Sequence, residues 1–119
     1  MIEREMAHLE RFLDLLSARH RLLASNIANA DTPGFKAKDF DFRAEFKKAI
    51  QKMETGRMSS MKLPALYETP AVSPSRDGNT VSMEIEMTKM SENTMLYNTI
   101  AQILSMKING IKEAITSSK

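Results

Sequence analysis

The sequence of 119 residues contains no cysteine and no tryptophan, and aromatic residues make up only 6% of it. Without cysteine the chain can form neither a disulfide bond nor a thiolate metal site. No run of 18 apolar residues occurs, so the sequence predicts no membrane-spanning helix. The first six residues, MIEREM, are charged and lack the apolar segment of a secretory signal peptide. We therefore expect any export to proceed without a cleaved signal peptide.

The charge of the chain is nearly balanced, with 17 basic and 15 acidic residues and a net charge of +2. Nucleic-acid binding requires lysine and arginine gathered on one surface. The densest basic stretch, residues 43–52, is interrupted by Glu45 and is typical of a solvated helix face. We therefore predict no nucleic-acid partner.

Residue types that carry catalysis or bind metal ions are present, but their spacing forms no recognisable site. The two histidines, His8 and His20, fall on different sides of a helix, so zinc-type spacing is absent. Asp39 and Asp41 lack a glycine-containing calcium loop, and we expect both carboxylates to face solvent. The sequence contains no nucleophile elbow, phosphate-binding loop or dinucleotide motif. We predict no enzyme, no catalytic residue, no cofactor, no metal site and no small-molecule substrate.

The N-terminal part of the chain carries a heptad pattern of apolar side chains, which predicts a helix over residues 2–31. The Thr-Pro-Gly sequence at residues 32–34 ends this helix, because proline disfavours helix in the residue before it and glycine permits positive φ. Phe12, Leu15 and Leu22 widen the apolar stripe. The predicted seam consists of Met6, Leu9, Leu13, Leu16, His20, Leu23 and Ile27.

A second heptad pattern predicts a last helix over residues 81–116. An Asp-Gly turn at residues 77–78 precedes this helix, and Ser82 is placed to cap its start. Gly110 lies inside the helix without interrupting the pattern. The predicted seam consists of Met83, Met87, Met90, Thr94, Tyr97, Ala101, Leu104, Ile108, Ile111 and Ile115, and a flanking apolar row consists of Leu96, Ile100 and Ile103.

The middle of the chain has a different composition, since four of the five phenylalanines lie within residues 35–46. One apolar helical face predicts a short helix over residues 42–55, which Gly56 is suited to end. Residues 57–80 contain three prolines and show little periodicity. They predict an extended or mobile loop that contains proline and serine.

These elements predict a mostly α protein in which the long terminal helices pair as an antiparallel coiled-coil-like hairpin, with a short middle helix and an extended loop. One such pair buries one seam on each helix and leaves the flanking rows partly exposed, and exposed apolar rows usually mark an interaction surface. From periodicity alone, a three-helix bundle that is stable by itself is the alternative. The predicted assembly interface consists of Leu9, Leu13, Leu16, Leu23 and Ile27 on the first helix and Met87, Met90, Tyr97, Leu104, Ile108 and Ile111 on the last.

A sequence motif lies where the first helix is predicted to end. Residues 24–35 read ASNIANADTPGF, which resembles the N-terminal signature of flagellar rod and hook axial proteins. The continuation KAKDFDF at residues 36–42 and the sequence DGNTVSMEIEM at residues 77–87 are similar to proximal rod proteins of the FlgB type. The resemblance implies a signature turn formed by Ser25, Asn26, Asn29, Asp31, Thr32, Pro33, Gly34 and Phe35.

The polar residues of this motif, Asn26, Asn29 and Asp31, have two interpretations. From the residues alone, their side chains cap the helix end locally, since asparagine and aspartate bond nearby backbone groups. The resemblance favours hydrogen bonds to neighbouring subunits. Both interpretations place these residues at the end of the first helix.

The resemblance implies a structural, non-enzymatic subunit of the flagellar basal-body rod. Such a subunit is exported by the flagellar type III apparatus and polymerises with itself and with other rod proteins in the periplasm to transmit torque. It also contacts the export gate and the adaptor at the rod base. On this basis we divide the chain into an axial helix with its turn (residues 1–34), a middle segment (35–80) and a second axial helix (81–119). The alternative is a soluble helical adaptor or export chaperone that does not polymerise.

Overall fold

A computed structural model describes residues 2–56, 64–71 and 76–117. Helices account for most of this part of the chain, and two short strands accompany them, as the prediction of a mostly α protein requires. The elements in chain order are α1 (Ile2–Ala28), β1 (Lys38–Phe40), α2 (Phe42–Glu54), β2 (Leu66–Glu68) and α3 (Met83–Ser117).

The two long helices α1 and α3 pack side by side in opposite directions. Near the free ends of the hairpin, Lys107 Nζ lies 2.8 Å from Glu5 Oε2. Further along, Asn93 Nδ2 donates to the backbone oxygen of Leu16 at 2.9 Å. The later the residue on α1, the earlier its partner on α3, so the pairing is antiparallel. The predicted hairpin is therefore confirmed.

Helix α1 ends at Ala28, about one turn before the predicted end at residue 31. Beyond it, the backbone continues in tighter turns, in which the N–H of Ala30 donates to Ile27 O at 3.2 Å and the N–H of Thr32 donates to Asn29 O at 3.1 Å. These bonds span three residues instead of four, which is how many helices terminate. Gly34 then adopts a φ of +74°.

The short helix α2 begins one residue after Asp41, whose side chain accepts a hydrogen bond from the backbone N–H of Ala44 and so caps the helix. The helix packs on α1 through aromatic rings. The ring of Phe12 meets Phe42 and Phe46 edge to face, with centroid distances of 4.8 and 4.7 Å. Edge-to-face contacts of this kind add to the free energy of burial.

Part of the predicted loop is a strand. In the antiparallel pair, β2 joins β1 with Lys38 opposite Glu68 and Phe40 opposite Leu66. The expectation of a loop without regular structure over residues 57–80 is therefore wrong for β2, because a three-residue strand is too short to produce a period-two pattern. The parts of that loop at residues 57–63 and 72–75 lie outside the described residues.

The molecule is long and thin. Its extents are 68 × 28 × 17 Å and its radius of gyration is 18.2 Å, compared with about 13.5 Å for a compact chain of this length. Its accessible surface is 8544 Å², compared with about 6,500 Å² for a compact monomer of equal mass. The apolar side chains that are buried among the described residues are few: Leu15, Leu16, Leu23, Ala37, Phe40 and Ala49.

The face that α3 turns towards α1 differs from the predicted seam in the first half of the helix. Glu86 and Asn93 are buried there, whereas Met83 and Met87 from the seam are exposed. An α-helix has 3.6 residues per turn, so a strict seven-residue repeat moves around its axis by about 20° per heptad. In the first half of α3 Met90 is half-buried, but the seam faces α1 most consistently near the far end, where Leu104, Ile108 and Ile111 are half-buried. On α1, His20 is also exposed rather than in the seam.

Candidate assembly surface

Asn26 joins three elements of the fold from a fully buried position, with 1% of its side chain exposed. Its Nδ2 donates to Lys38 O at 2.7 Å, and its Oδ1 accepts from the N–H of Lys38 at 3.1 Å. The amide thus bonds β1 as a neighbouring strand would. Asn26 Nδ2 also donates to Glu86 Oε2 on α3 at 3.0 Å. Asn26 therefore holds tertiary structure together within the chain and is not a local cap.

Asn29 does cap the helix end locally. Its Nδ2 donates to Ser25 O at 2.8 Å, and its Oδ1 accepts from Thr32 Oγ1 at 3.0 Å. The other turn residues carry no buried side chain: Phe35 is half-buried, whereas Ser25, Asp31, Thr32, Pro33 and Gly34 are exposed.

Asn79 completes the end of α1 from a distant part of the chain. Its buried Nδ2 lies 3.0 Å from Asn29 O, 3.0 Å from Ala30 O and 2.7 Å from Thr32 O. Carbonyl groups at a helix end lack partners within the helix. This amide lies within hydrogen-bond distance of all three, and Asn29 O and Thr32 O also accept backbone bonds from the N–H groups of Thr32 and Phe35. No role for Asn79 follows from the sequence, because its partners lie about 50 residues earlier and no local pattern indicates them.

The segment before α3 is also bonded to the segment after the signature turn. The N–H of Gly34 donates to Asp77 O at 2.8 Å, and the N–H of Thr80 donates to Phe35 O at 3.0 Å. The N–H of Ala37 donates to Thr80 Oγ1 at 2.8 Å. The signature turn is therefore held in place by a second segment, residues 77–80, which lies more than 40 positions later in the chain.

A cluster of charged side chains lies beside Asn26, between α1, β1 and α3. Asp39 is only 2% exposed and accepts two hydrogen bonds from Arg19, of 3.1 Å from Nε and 3.0 Å from Nη2. Lys89 Nζ lies 3.4 Å from Asp39 Oδ2 and 3.9 Å from Glu86 Oε1. The expectation that Asp39 faces solvent is wrong, because Arg19 and Lys89 compensate its charge in the interior.

The environment of Asp39 alters its acidity. Burial by itself raises the pKa of a carboxyl group. The hydrogen bonds from Arg19 and from the N–H of Phe40, together with the charges of Arg19 and Lys89, outweigh burial and leave the pKa of Asp39 below its ordinary value. For Arg19, burial lowers the pKa and the bonded carboxylate raises it, with a net increase. Both groups are therefore charged at neutral pH.

Helix α3 exposes large apolar side chains on several sides. Met95 and Met106 are 70% and 72% exposed and lie on the side of α3 opposite α1. Sequence reasoning missed these two residues, since neither belongs to a heptad row. The other large apolar side chains exposed on α3 are Met83, Ile85, Met87, Leu96, Tyr97, Ile103 and Ile115.

The predicted interface residues fall into three groups. Leu16 and Leu23 are buried inside the hairpin and have no surface to offer a neighbour. Met87 and Tyr97 are exposed and available. The remaining residues are half-buried along the groove between the helices: Leu9, Leu13, Ile27, Met90, Leu104, Ile108 and Ile111.

Comparison with known proteins finds related sequences over most of the chain. A family model described as flagella basal body rod protein matches residues 15–36, which form the second half of α1 and the signature turn. The chain is 42% identical over 112 residues to the flagellar basal body rod protein FlgB of Cereibacter sphaeroides, a match that covers 87% of each chain. It is 36% identical over 121 residues to the FlgB protein of Escherichia coli strain K12, covering 88% of each. The chain belongs to the FlgB family of flagellar basal body rod proteins.

The match to FlgB proteins extends well beyond the signature. The FlgB protein of Salmonella typhimurium is 38% identical over 119 residues, covering 87% of this chain and 86% of that protein. The matched region therefore reaches both terminal helices and covers the segment between them. The resemblance predicted from the sequence is confirmed. None of the helices described by the structure is long and apolar enough to cross a membrane.

Proposed function

We propose that this structural subunit of the flagellar basal-body rod assembles through the outward surface of α3 and the grooves that flank the hairpin. The observation that supports the proposal is the exposure of Met95 and Met106 on the side of α3 that α1 cannot reach. A helix that exposes large apolar side chains on several sides belongs in the interior of a larger structure. In a rod, that structure is provided by the neighbouring subunits, and torque passes through the packed helices.

The proposal includes the position of the subunit and its route. The protein lies in the proximal part of the rod, contacts the other rod proteins, the adaptor at the rod base and the export gate, and reaches the periplasm without a cleaved signal peptide. The similarity to FlgB proteins over most of the chain supports this placement. Its role is mechanical, and it catalyses no reaction.

The test compares two substitutions that add one negative charge to exposed positions of α3. Met95→Glu places the charge on the side opposite α1, and Ser105→Glu places it about 80° away around the helix axis, in the exposed polar row of Ser91, Asn98 and Ser105. Neither residue contacts the core of the isolated chain, so both variants retain the helicity of the wild-type protein. We choose Met95 instead of Leu104, because a charge at the half-buried Leu104 also opens the hairpin.

The readouts are swimming motility and the amount of the protein in detergent-extracted basal bodies, in cells that lack the wild-type gene. Burial of a large apolar side chain contributes about 1.5–3 kcal/mol, so Met95→Glu lowers incorporation about tenfold or more. Ser105→Glu leaves incorporation unchanged. Normal incorporation of Met95→Glu would contradict the proposal. A closed cytoplasmic oligomer of fixed size, absent from basal bodies, would favour the alternative of a helical adaptor or chaperone.

A further inference from the structure

The polar cluster between α1, β1 and α3 places charged side chains in the interior of the hairpin. Its members are Arg19, Asn26, Asp39, Glu86 and Lys89, linked by the hydrogen bonds and ion pairs given above. Burying charged groups costs free energy, and replacement of such groups by apolar residues often leaves stability unchanged or raises it. Stability alone therefore does not explain a polar cluster at the centre of so small a core.

Helix α3 has two faces that could pack against α1. At about 100° per residue, Glu86 and Asn93 lie within about 20° of each other around the helix axis. Met83 and Met87 lie about 70° and 110° away from the centre of these two residues, whereas Tyr97 lies only about 30° away. A heptad seam that supercoils around α1 would bury the apolar residues, yet Met87 is 56% exposed and Glu86 is 2% exposed.

We propose that this polar cluster is a rotational lock, which holds Glu86 against Asn26 and so keeps Met83 and Met87 turned outward for a neighbouring rod subunit. A buried polar group that specifies register at the expense of stability is known from helical assemblies. The lock acts at the end of the hairpin near the signature turn, where all of the fully buried residues of α1 and α3 lie. The consequence for assembly depends on the proposed function, whereas the rotation itself does not.

Two features of the site favour a lock over simple packing. Asn26 bonds Glu86 and both backbone groups of Lys38 with one amide, so its position is determined by β1. Asn93 Nδ2 bonds Leu16 O, while no partner of Asn93 Oδ1 is found among the described residues. A buried acceptor without a partner destabilises the folded state. If α3 were free to rotate, we would expect it to turn Asn93 Oδ1 towards water.

The absence of native cysteine permits a direct test by thiol labelling. Met87→Cys reports on one of the two residues that the lock keeps exposed, and Met95→Cys is the control on the side opposite α1, where exposure persists after a rotation of about 70°. Each reporter is labelled with a maleimide in the full-length protein, at a concentration where size-exclusion chromatography shows a monomer. In the wild-type background we expect both thiols to react quickly.

Two substitutions break the lock from opposite sides. Asn26→Leu removes the amide that bonds Glu86, and Glu86→Lys places a cation next to Lys89 and Arg19. In each case the proposal predicts that α3 rotates and buries position 87. Labelling of Met87→Cys then slows about tenfold because reaction requires transient opening, while labelling of Met95→Cys is unchanged. Glu86→Gln keeps an acceptor for Asn26 and retains the wild-type rates.

Unchanged labelling at position 87 in both lock-breaking variants would overturn the proposal. Faster labelling at both reporters would overturn it as well, since the cluster would then be required for folding rather than for rotation. The measurement uses the isolated protein, so its failure leaves the assignment to the rod intact. Conversely, normal incorporation of Met95→Glu into basal bodies would contradict the proposed assembly surface without bearing on the lock.

Discussion

The side-chain amide of Asn79 lies 2.7 Å from the backbone oxygen of Thr32, although 47 residues separate them in the sequence. This contact joins the turn that follows α1 to the segment that leads into α3. The backbone bonds from Gly34 to Asp77 and from Thr80 to Phe35 lie beside it. The signature turn and the start of the last helix therefore behave as one structural unit.

Substitution of Asn79 by alanine tests this unit. The substitution removes the side-chain donor of Ala30 O and leaves Asn29 O and Thr32 O with only the backbone N–H groups of Thr32 and Phe35, and a buried group left without its partner costs about 1–3 kcal/mol. We expect the free energy of unfolding in urea to fall by that amount and amide hydrogen exchange at residues 29–37 to accelerate. The control is Asn109→Ala, which removes an exposed amide from α3. Equal stability of the two variants would show that Asn79 is dispensable.

Stability depends on pH through Asp39. The pKa of this carboxyl is lowered in the folded state, so its contribution is fully present above the unfolded pKa of about 3.9. The contribution is lost as the pH falls through the lower pKa of the folded state. We expect Asp39→Asn to be less stable than wild type at pH 7 and to show a shallower loss of stability between pH 5 and pH 2, measured by urea unfolding at each pH. Parallel profiles for the two proteins would contradict this assignment.

Two glycines are expected to respond to alanine with opposite signs. Gly34 has a φ of +74°, a conformation that costs a residue with a Cβ atom about 1–2 kcal/mol. Gly110 lies inside α3, and a Cβ there meets no atom within 4 Å, so alanine stabilises the helix by about 1 kcal/mol. Thermal unfolding followed by circular dichroism measures both changes. A change of the same sign in the two variants would refute the backbone argument.

The aromatic contact between α1 and α2 predicts a local effect. Phe12 lies edge to face against Phe42 and Phe46, and its replacement by alanine removes about 2–3 kcal/mol of burial and ring contact. We expect hydrogen exchange in α2 to accelerate strongly while the α1–α3 pair near Asn26 remains protected. Phe12→Leu preserves apolar volume and serves as the control. Equal acceleration in all three helices would mean that α2 is not a separately anchored element.

Local patterns were sufficient for the three helices of this fold, but not for the two strands. The heptad spacing of apolar residues predicted α1 and α3 and their antiparallel pairing, since 3.6 residues per turn places every third and fourth residue on one side. The Thr-Pro-Gly sequence located the end of α1 to within one turn. The motif around Asn26 predicted the family, because a run of specific residue types carries more information than periodicity does.

Contacts between distant residues could not be derived in this way. The rotation of α3 depends on whether Glu86 or Met87 faces α1, and one residue of difference moves a side chain by about 100° around the helix. The burial of Asp39 depends on Arg19 and Lys89, which are 20 and 50 residues away. The pairing of β2 with β1 is equally non-local and involves only three residues in each strand.

The sequence alone determined that this is a largely helical, cysteine-free chain with two long apolar-patterned helices and a rod-protein motif between them, because these properties depend on neighbours within a few residues. Only the tertiary structure decided which sides of those helices are covered. That outcome depends on hydrogen bonds and ion pairs between residues such as Asn26 and Glu86, 60 positions apart. Which polar side chains become partners depends on how the folded elements are placed, and the spacing of residues along the sequence does not give that placement.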